Sequence, residues 1–559
     1  MGGTYCIGLD YGTQSGRAVL VDMKTGEVAA QAVKPYAHGV MDEYLPDGLT
    51  RLPMDWALQH PQDYLEVIEY TIPEVLRKAC VSGEEVVGIA NDFTASTLLP
   101  VKGDGTPLCF LAPYRKNPHA YVKLWKHHAA QREAEEITGL AKARGEDFLS
   151  RYGGTISSEW FLPKVWQILR EAPEIYREAD RILEAGDWVN WMLTGEEKRS
   201  SCHALYKAIW SEKDGYPSRE FLKQLDPRLE NLVEEKLGCQ IYPLGGKAGK
   251  LTREWAVKTG LKEGTAVGIG VVDAHAGIPG TGITGSGKLL MIMGTSTCHI
   301  LLGETQEEVP GMCGVAKDGI LPGFFAYEAG QACVGDHFDW LVRNCIPEEY
   351  GKEARKRGMS LHQLLTEKAA KQEPGESGLL ALDWWNGNRT PYVDYGLTGM
   401  ILGMTLTTKP EEMYRALIEA TAYGANHVIE TFEKAGVTIK ELYACGGIAE
   451  KNSMMMQIYA DVTGREIRIS ASDQTPALGA AMFAAVAAGK ENGGYDTIFE
   501  AARAMGRVKE ETYRPIPGNA RIYHALYEEY KKLCEYFARE NDVMKKLKGW
   551  RGEKGCRNS

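Results

Sequence analysis

The stretch YCIGLDYGTQSGRAVLVD, residues 5–22, decides the fold. Its alternating pattern predicts a strand, a tight turn and a second strand. Asp10 falls at the tip of the first strand, and Gly12 and Thr13 follow in the turn, where small residues let an anion approach backbone N–H groups. We therefore predict a phosphate-binding hairpin, with Asp10 holding Mg²⁺ and Arg17 adding a positive charge. The alternative is a surface hairpin in which these residues only shape the turn.

Two later segments repeat this layout. Residues 288–303, KLLMIMGTSTCHILLG, again read as strand, small-residue turn and strand, with Thr295 in the turn. Residues 441–464, ELYACGGIAEKNSMMMQIYADVTG, read as a strand, a Gly446-Gly447 turn and a helix. Bare backbone at a double glycine offers a surface for a flat base or ribose, although a plain strand-to-helix loop fits too. Three such pieces in this order predict a nucleotide site.

Composition limits the function classes. A chain of 559 residues predicts two large domains. A net charge of −11 argues against a nucleic-acid partner, which a basic face would bind. The sequence has no apolar run of 18 residues and no charged-then-apolar leader, so we expect neither a membrane partner nor secretion. Its twelve cysteines include no CxxC pair, which is typical of a reduced cytoplasmic protein without a zinc site.

A glycine-rich stretch predicts the domain boundary. Residues 261–288 contain an apolar strand, then Asp273, then five glycines between positions 277 and 287. Flexible composition before a fresh hairpin places the boundary there, giving domains 1–283 and 284–559. Asp273 is either the N-cap of a helix or the base that accepts a proton from an attacking hydroxyl.

Helical periodicity and breakers predict further elements. The predicted helical regions are 61–82, 117–143, 158–183 (one or two helices), 186–195, 410–436, 476–489 and 519–539. His127 and His128 are adjacent on the second of these, so they cannot form the i, i+4 pair of a zinc helix. We interpret both as packing or surface residues.

The strand at 85–101 ends in the polar residues Asn91, Asp92, Thr94 and Ser96, and such strand ends form the edge of a site. Two further positions have an open interpretation. Glu328 also follows an apolar strand and is either a helix N-terminal acid or a substrate ligand. Lys207 stands between Tyr206 and Trp210, where a lysine either extends to solvent or donates to a hydroxyl-rich substrate. The residues alone do not decide between these.

Several motifs resemble the FGGY carbohydrate kinases, along essentially the whole chain. They are DYGTQSGRA, PKVWQI, MGTST, GMILGMTL with EEMYRALIE, and ACGGIAEKN. The resemblance implies an α/β fold of two actin-like, ribonuclease-H-like domains with a nucleotide cleft between them. Residues 1–283 would bind sugar and carry the first phosphate hairpin, and residues 284–559 would carry the second hairpin and the adenosine-binding turn.

Other segments resemble the branch of that family that phosphorylates L-ribulose. They are NDFTAST, KLWKHHAAQ, HALYKAIW, GVVDAHAGIPG and YEAGQACVGDHFDW, of which KLWKHHAAQ is the most telling. The implied reaction is ATP-dependent conversion of L-ribulose to L-ribulose 5-phosphate in L-arabinose catabolism, by a cytoplasmic homodimer. Asp273 would be the general base and Asp10 the Mg²⁺-side carboxylate.

The same resemblance implies the remaining site residues. Those lining the sugar would be Ala95, Ser96, Trp125, Lys207, Asp273 and Glu328. Those along the nucleotide would be Gly12, Thr13, Arg17, Thr295, Gly446, Gly447 and Asn452. Two alternatives stay open: a kinase for another pentulose, a pentitol or glycerol, and a non-catalytic actin-like ATPase.

Overall fold

The computed structural model describes residues 3–238 and 240–555, with the backbone only for 551–555. The chain forms two compact units, and each is discontinuous in sequence. The first unit comprises the described residues up to Thr284, Gly314–Ala326 and Gln474–Arg507; the second comprises Gly285–Cys313, Tyr327–Asp473 and the described residues from Val508 onward. The predicted division of roles between 1–283 and 284–559 stays a prediction.

The strands vary from two to eight residues. In chain order they are β1 Tyr5–Tyr11, β2 Ser15–Asp22, β3 Val28–Pro35, β4 Leu58–Gln59, β5 Val86–Phe93, β6 Leu98–Val101, β7 Val122–Lys123, β8 Arg181–Glu184, β9 Arg199–Ser200, β10 Ile241–Tyr242, β11 Lys247–Lys250, β12 Ala266–Gly268, β13 Val271–Val272, β14 Lys288–Met293, β15 Thr297–Gly303, β16 Gly314–Lys317, β17 Phe325–Gln331, β18 Leu380–Leu382, β19 Met400–Leu402, β20 Glu441–Cys445, β21 Ile467–Ser470 and β22 Val508–Tyr513.

The helices lie between and after these strands in the chain. They are α1 Pro61–Ala79, α2 Gln131–Arg144, α3 Phe161–Glu171, α4 Pro173–Glu178, α5 Ala185–Thr194, α6 Ser201–Lys207, α7 Arg219–Leu225, α8 Arg253–Thr259, α9 Asp273–Gly280, α10 Gly335–Asn344, α11 Glu348–Lys356, α12 Leu361–Ala369, α13 Pro410–Lys434, α14 Gly447–Lys451, α15 Ser453–Thr463, α16 Thr475–Ala488, α17 Ile498–Met505, α18 Pro517–Glu535 and α19 Val543–Gly555. The predicted α/β fold is confirmed.

The first unit is built on a sheet with strand order β11-β12-β5-β1-β2-β3, and β13 also pairs with β5. β1 is antiparallel to β2 and parallel to β5, so the predicted first hairpin is confirmed. Asp10 has Arg17 as its register partner on one side and Asp92 on the other. Val271 of β13 is paired with Asp92, which brings the end of that strand to the same sheet edge.

A helix from late in the chain covers this sheet. α16, which the sequence predicts as a packed core helix, is almost wholly buried and lies against β1 and β5. A Cβ on Gly8 of β1 would lie 1.9 Å from the carbonyl oxygen of Ala477, so only glycine permits this approach. The helix therefore belongs to the first unit although it is more than 450 residues away from β1 in sequence.

The second unit has its own sheet, with strand order β17-β15-β14-β20-β21-β22. β14 is antiparallel to β15 and parallel to β20. The second predicted hairpin and the third predicted strand are therefore confirmed, and they are neighbours. Since parallel strands end at the same sheet edge, the turn after β14 and the double glycine after β20 lie side by side.

The helix predicted over 117–143 is wrong for its first half. Helix α2 begins only at Gln131, and β7 occupies Val122–Lys123. Lys123 is paired with Leu58 and Leu98, so tertiary strand pairing overrides the local helical pattern. Of the two expected packing histidines, His127 is fully buried and hydrogen-bonded to Gln167.

The region 158–183 contains two helices, α3 and α4, which was one of the two expected outcomes. Its end is instead the start of strand β8. In the part of the chain that the structure describes, none of the helices has the length and apolar composition needed to span a bilayer.

Candidate active site

The first hairpin sets a carboxylate beside a guanidinium. The Asp10 carboxylate lies 3.2 Å from Arg17 Nε, and Arg17 also donates to the side-chain oxygen of Gln474 at 2.9 Å. Gln474 directly precedes α16, so this helix fixes the direction of the Arg17 side chain. Asp10 is only 9% exposed, whereas Arg17 is half-buried. The Arg17 guanidinium is therefore the more accessible of the two charged groups.

The turn of the hairpin is held from outside. Tyr36 donates its hydroxyl hydrogen to the Gly12 carbonyl at 2.9 Å, and Gln59 donates to the Thr13 carbonyl at 2.8 Å. The Trp125 indole donates to the Thr13 hydroxyl at 3.1 Å. Trp125 is predicted on the sugar side and Thr13 on the phosphate side, and the structure brings the two together.

Asp92 is a buried acid at the polar end of β5, the strand end that the sequence predicts as the edge of a site. It is fully buried, and neither carboxyl oxygen receives a hydrogen bond from any described residue. Burial raises the pKa of Asp92 well above its ordinary value, and the nearby charges of Asp10 and Asp273 raise it further. Three acids thus gather at one edge of the first sheet. The sequence indicates that the end of β5 is polar, but it does not show that Asp92 is buried there.

Asp273 is the first residue of α9, directly after β13. One of its carboxylate oxygens accepts a hydrogen bond from the Ala274 N–H at 2.7 Å, and the residue is half-buried. The N-cap of α9 is Val272, so the interpretation of Asp273 as the N-cap is wrong. The contact with Ala274 orients the Asp273 carboxylate on the first turn of the helix. Asp273 lies at the sheet edge that carries Asp10. Its role as the general base stays a prediction.

The loop after β5 carries Ala95 and Ser96. Ser96 is 2% exposed and has a φ of +53°, a left-handed conformation that non-glycine residues rarely adopt. Its hydroxyl oxygen has no hydrogen-bond partner among the described residues. A buried hydroxyl with this geometry is suited to a ligand that supplies the missing partner.

Lys207 does not extend to solvent. It ends α6, is only 5% exposed, and its ammonium nitrogen lies 5.8 Å from the centre of the Trp160 ring. Since an ammonium group carries three donors, a buried lysine at this position can serve hydroxyl or carbonyl oxygens of a polar ligand.

In the second unit, the turn after β14 rests on the start of α10. The Val334 N–H donates to the Thr295 carbonyl at 2.9 Å, and the Gly335 N–H donates to the Gly294 carbonyl at 3.0 Å. Thr295 itself is exposed. Glu328, on β17 of the same sheet, is 8% exposed.

The double glycine has two different roles. Gly446 has a φ of +95°, and a Cβ there would lie 2.5 Å from the Met293 carbonyl oxygen, so glycine is required. Gly447 is exposed with open space in front of it, as expected for bare backbone. Asn452 uses its side-chain oxygen to accept the Met455 N–H at 3.0 Å as the N-cap of α15. Contacts of these residues with a nucleotide stay predictions.

Several groups that shape the site were not found from sequence, because their partners are distant in the chain. They are Gln59, Lys164, Glu184 and Gln474. Only Lys164 carried a signal, since it lies in the motif PKVWQI. Among the described residues, no group of three or more His, Cys, Asp or Glu side chains forms a metal-binding cluster.

The two-unit α/β fold, with acids at one edge of the first sheet, matches a family of sugar kinases. The chain belongs to the FGGY family of carbohydrate kinases: the model of the N-terminal domain of that family matches residues 5–280, and that of the C-terminal domain matches residues 289–488.

Relatives agree with this assignment. The chain is 58% identical over 552 residues to a protein named Ribulokinase from Anoxybacillus flavithermus, covering 99% of this chain and 98% of the relative. It is 60% identical over 534 residues to a Ribulokinase from Bacillus licheniformis, covering 96% and 97%. The crystal structure of a xylulose kinase from Rhodospirillum rubrum has the same fold, with a TM-score of 0.75 at 24% identity over 95% of this chain and 98% of that one.

Proposed function

We propose that the chain phosphorylates L-ribulose with ATP to give L-ribulose 5-phosphate, with Asp273 as general base. Relatives named Ribulokinase at 58–60% identity over nearly the full chain support the substrate. The observation that carries the proposal is the edge of the first sheet, where the hairpin with Asp10 and the strand leading to Asp273 flank Asp92.

Asp273 would accept the proton of the terminal hydroxyl as its oxygen attacks the γ-phosphorus of ATP. The bond between that phosphorus and the bridging oxygen breaks, and ADP leaves. The carboxylate does not need unusual basicity, because its main task is to orient the hydroxyl. The hydrogen bond from Ala274 supports this role, since it restricts the carboxylate.

Two sets of residues are proposed to contact the nucleotide. In the first, Gly12 and Thr13 offer backbone and hydroxyl groups to phosphates, and Arg17 offers its positive charge. In the second, the predicted nucleotide-side residues are Thr295, Gly446, Gly447 and Asn452. Of these, Gly447 has the open backbone that a base or ribose needs.

Asp10 is the residue proposed to face Mg²⁺. Mg²⁺ keeps several waters and takes phosphate oxygens, so it needs only one or two protein carboxylates rather than a cluster. Asp10 and its register partner Asp92 supply two such carboxyl groups, and both oxygens of Asp92 lack a hydrogen-bond partner among the described residues. When bound, Mg²⁺ neutralises charge that develops on the transferring phosphoryl group.

The sugar would be bound by Lys207, Ser96, Ala95, Trp125 and Glu328. The Lys207 ammonium is a donor for ketose oxygens, and the Ser96 hydroxyl lacks a partner among the described residues. The Trp125 indole N–H is engaged with Thr13, so Trp125 would present its ring to the sugar. We further propose that the protein is cytoplasmic, forms a homodimer and acts in L-arabinose catabolism. Light scattering on the purified protein would test the dimer.

A coupled assay of ADP release tests the proposal. The panel comprises L-ribulose, D-ribulose, D-xylulose, ribitol and glycerol, each with ATP and Mg²⁺, and one sample without sugar. We expect the highest kcat/KM with L-ribulose. Preference for xylulose, ribitol or glycerol would support the alternative sugar kinase, and ADP release that no sugar stimulates would support an actin-like ATPase.

A further inference from the structure

A buried lysine lies behind the loop that carries Ala95 and Ser96. Lys164 is in the first turn of α3, and its exposed fraction is 0%. Its ammonium nitrogen donates to the Ser96 carbonyl oxygen at 2.7 Å and to the Leu124 carbonyl oxygen at 2.7 Å. Both distances are at the short end of the range for hydrogen bonds in proteins. One side chain thus joins two loops that are distant in sequence.

Both loops contain residues of the proposed sugar site. Ser96 is itself a proposed sugar ligand, with Ala95 beside it. Leu124 directly precedes Trp125, whose indole donates to Thr13 of the phosphate hairpin. Holding the Ser96 and Leu124 carbonyl groups in place therefore fixes the backbone of Ser96 and the backbone next to Trp125.

The conformation of Ser96 needs such support. A φ of +53° is costly for serine and persists only where the surroundings impose it. Nearby polar groups fix the rest of the loop: the Thr97 N–H donates to a carboxylate oxygen of Glu184 at 2.9 Å, and the Ala185 N–H donates to the Thr97 carbonyl at 2.6 Å. Lys164 is the group that holds the Ser96 carbonyl on the other side.

We propose that Lys164 is a positioning residue for sugar binding, which clamps the Ser96 and Leu124 carbonyls and so holds both loops in their ligand-binding conformation. The inference rests on the proposed function, because it assigns these loops to the sugar. Lys164 donates both of these hydrogen bonds to the protein backbone, so it acts through the loops rather than on the sugar.

Electrostatics separates this role from a direct charge effect. Burial lowers the pKa of Lys164, the charge of Glu184 opposes this effect, and the positive charge of Lys207 lowers the pKa further. Removing the Lys164 ammonium would relieve repulsion on Lys207, so weaker sugar binding in such a variant would not follow from the charge of Lys207 itself.

The test is Lys164→Met, which keeps most of the apolar stem and removes the donors. We expect the dissociation constant for L-ribulose, measured by calorimetry without nucleotide, and the KM for L-ribulose each to rise at least tenfold. The dissociation constant of a non-hydrolysable ATP analogue should change less than about threefold. The matched control is Lys236→Met, a buried lysine that donates to the Ala179 carbonyl at 2.6 Å, for which both constants should stay near wild type.

Four outcomes are informative. A sugar-specific loss in Lys164→Met that is absent from Lys236→Met supports the proposal. Unchanged sugar affinity, or equal loss of sugar and nucleotide affinity, overturns it. If Lys164→Met does not fold, Lys164→Gln, whose side chain is too short to hold both carbonyls at these distances, is measured by the same criteria. If the wild-type protein neither binds nor phosphorylates L-ribulose, the proposed function fails. If the wild type is active and Lys164→Met matches it, only the proposal about Lys164 fails.

Discussion

Asp10 and Arg17 are register partners across the first hairpin, and their charged groups lie 3.2 Å apart. This arrangement places opposite charges at the mouth of the turn, where a metal-bound phosphate would need both. Asp10→Asn should therefore cut turnover by at least about a hundredfold and raise the Mg²⁺ concentration needed for half activity, since one metal-side carboxylate is removed. Initial rates across a Mg²⁺ series measure both effects.

The control for this variant lies at the other end of the same hairpin. Asp22 accepts the N–H groups of Lys24 and Thr25, and asparagine can keep these contacts. Asp22→Asn should leave turnover and Mg²⁺ dependence unchanged. If Asp10→Asn instead abolishes L-ribulose binding measured without nucleotide, then Asp10 acts on the sugar side or in the fold.

Asp273→Asn should keep the fold and lose phosphoryl transfer. Asparagine can still accept the Ala274 N–H, but it cannot accept the proton of the sugar hydroxyl. Loss of a general base typically costs about 10²–10⁴-fold in kcat. Single-turnover phosphoryl transfer, with nucleotide binding as the check on folding, measures this. Turnover within a factor of about three of wild type would remove Asp273 from the mechanism.

Lys207→Met should raise the KM for L-ribulose about ten- to hundredfold, because a buried charge-assisted hydrogen bond is lost. The KM for ATP should change much less. Steady-state kinetics with each substrate varied in turn gives both values. Equal changes in the two KM values would indicate that the substitution disturbs the first unit as a whole and that Lys207 is not a sugar ligand.

Stability should depend on pH through Asp383 of the second unit. Asp383 is fully buried and accepts hydrogen bonds from Gln331 and Tyr530, and burial raises its pKa to about 6. The unfolded pKa lies near 4, so between these values the folded chain holds a proton that the unfolded chain releases. The free energy of unfolding should therefore fall as pH rises from 4 through 6, by about 3 kcal/mol for this group.

Asp383→Asn cannot titrate and should lose this part of the pH dependence. Denaturant unfolding of wild type and variant at pH 4, 5, 6 and 7 gives the free energy of unfolding of each. The difference between the two proteins should change across this range. A difference that stays constant across this range would show that Asp383 does not carry a raised pKa in the folded chain.

Local pattern was enough to predict the elements that bear the site. The hairpin around Asp10 was predictable because strand alternation and turn residues are properties of neighbouring positions. The same holds for the strand that leads to Gly446. The helix predicted from residue 117 onward is wrong in its first half. Strand β7 lies there instead, and it exists only through pairing with Leu58 and Leu98, which are distant in sequence.

The support of the site was beyond sequence reasoning for a related reason. The packing of α16 on β1 requires Gly8 and Ala477 to meet, and nothing local to either residue indicates it. Likewise, the motif PKVWQI identifies Lys164 without showing that its ammonium reaches the Ser96 and Leu124 carbonyls. Burial and long-range contacts decide these roles, and they arise only from the folded chain.

The central claim is transfer of the γ-phosphoryl group of ATP to the terminal hydroxyl of L-ribulose. The most direct measurement is the product itself: the purified protein is incubated with L-ribulose, ATP and Mg²⁺, and the sugar phosphate is identified by phosphorus and proton NMR. We predict L-ribulose 5-phosphate, formed in equal amount to ADP and absent with Asp273→Asn. A phosphate on another oxygen of the sugar, or ADP formed without any sugar phosphate, would contradict the account.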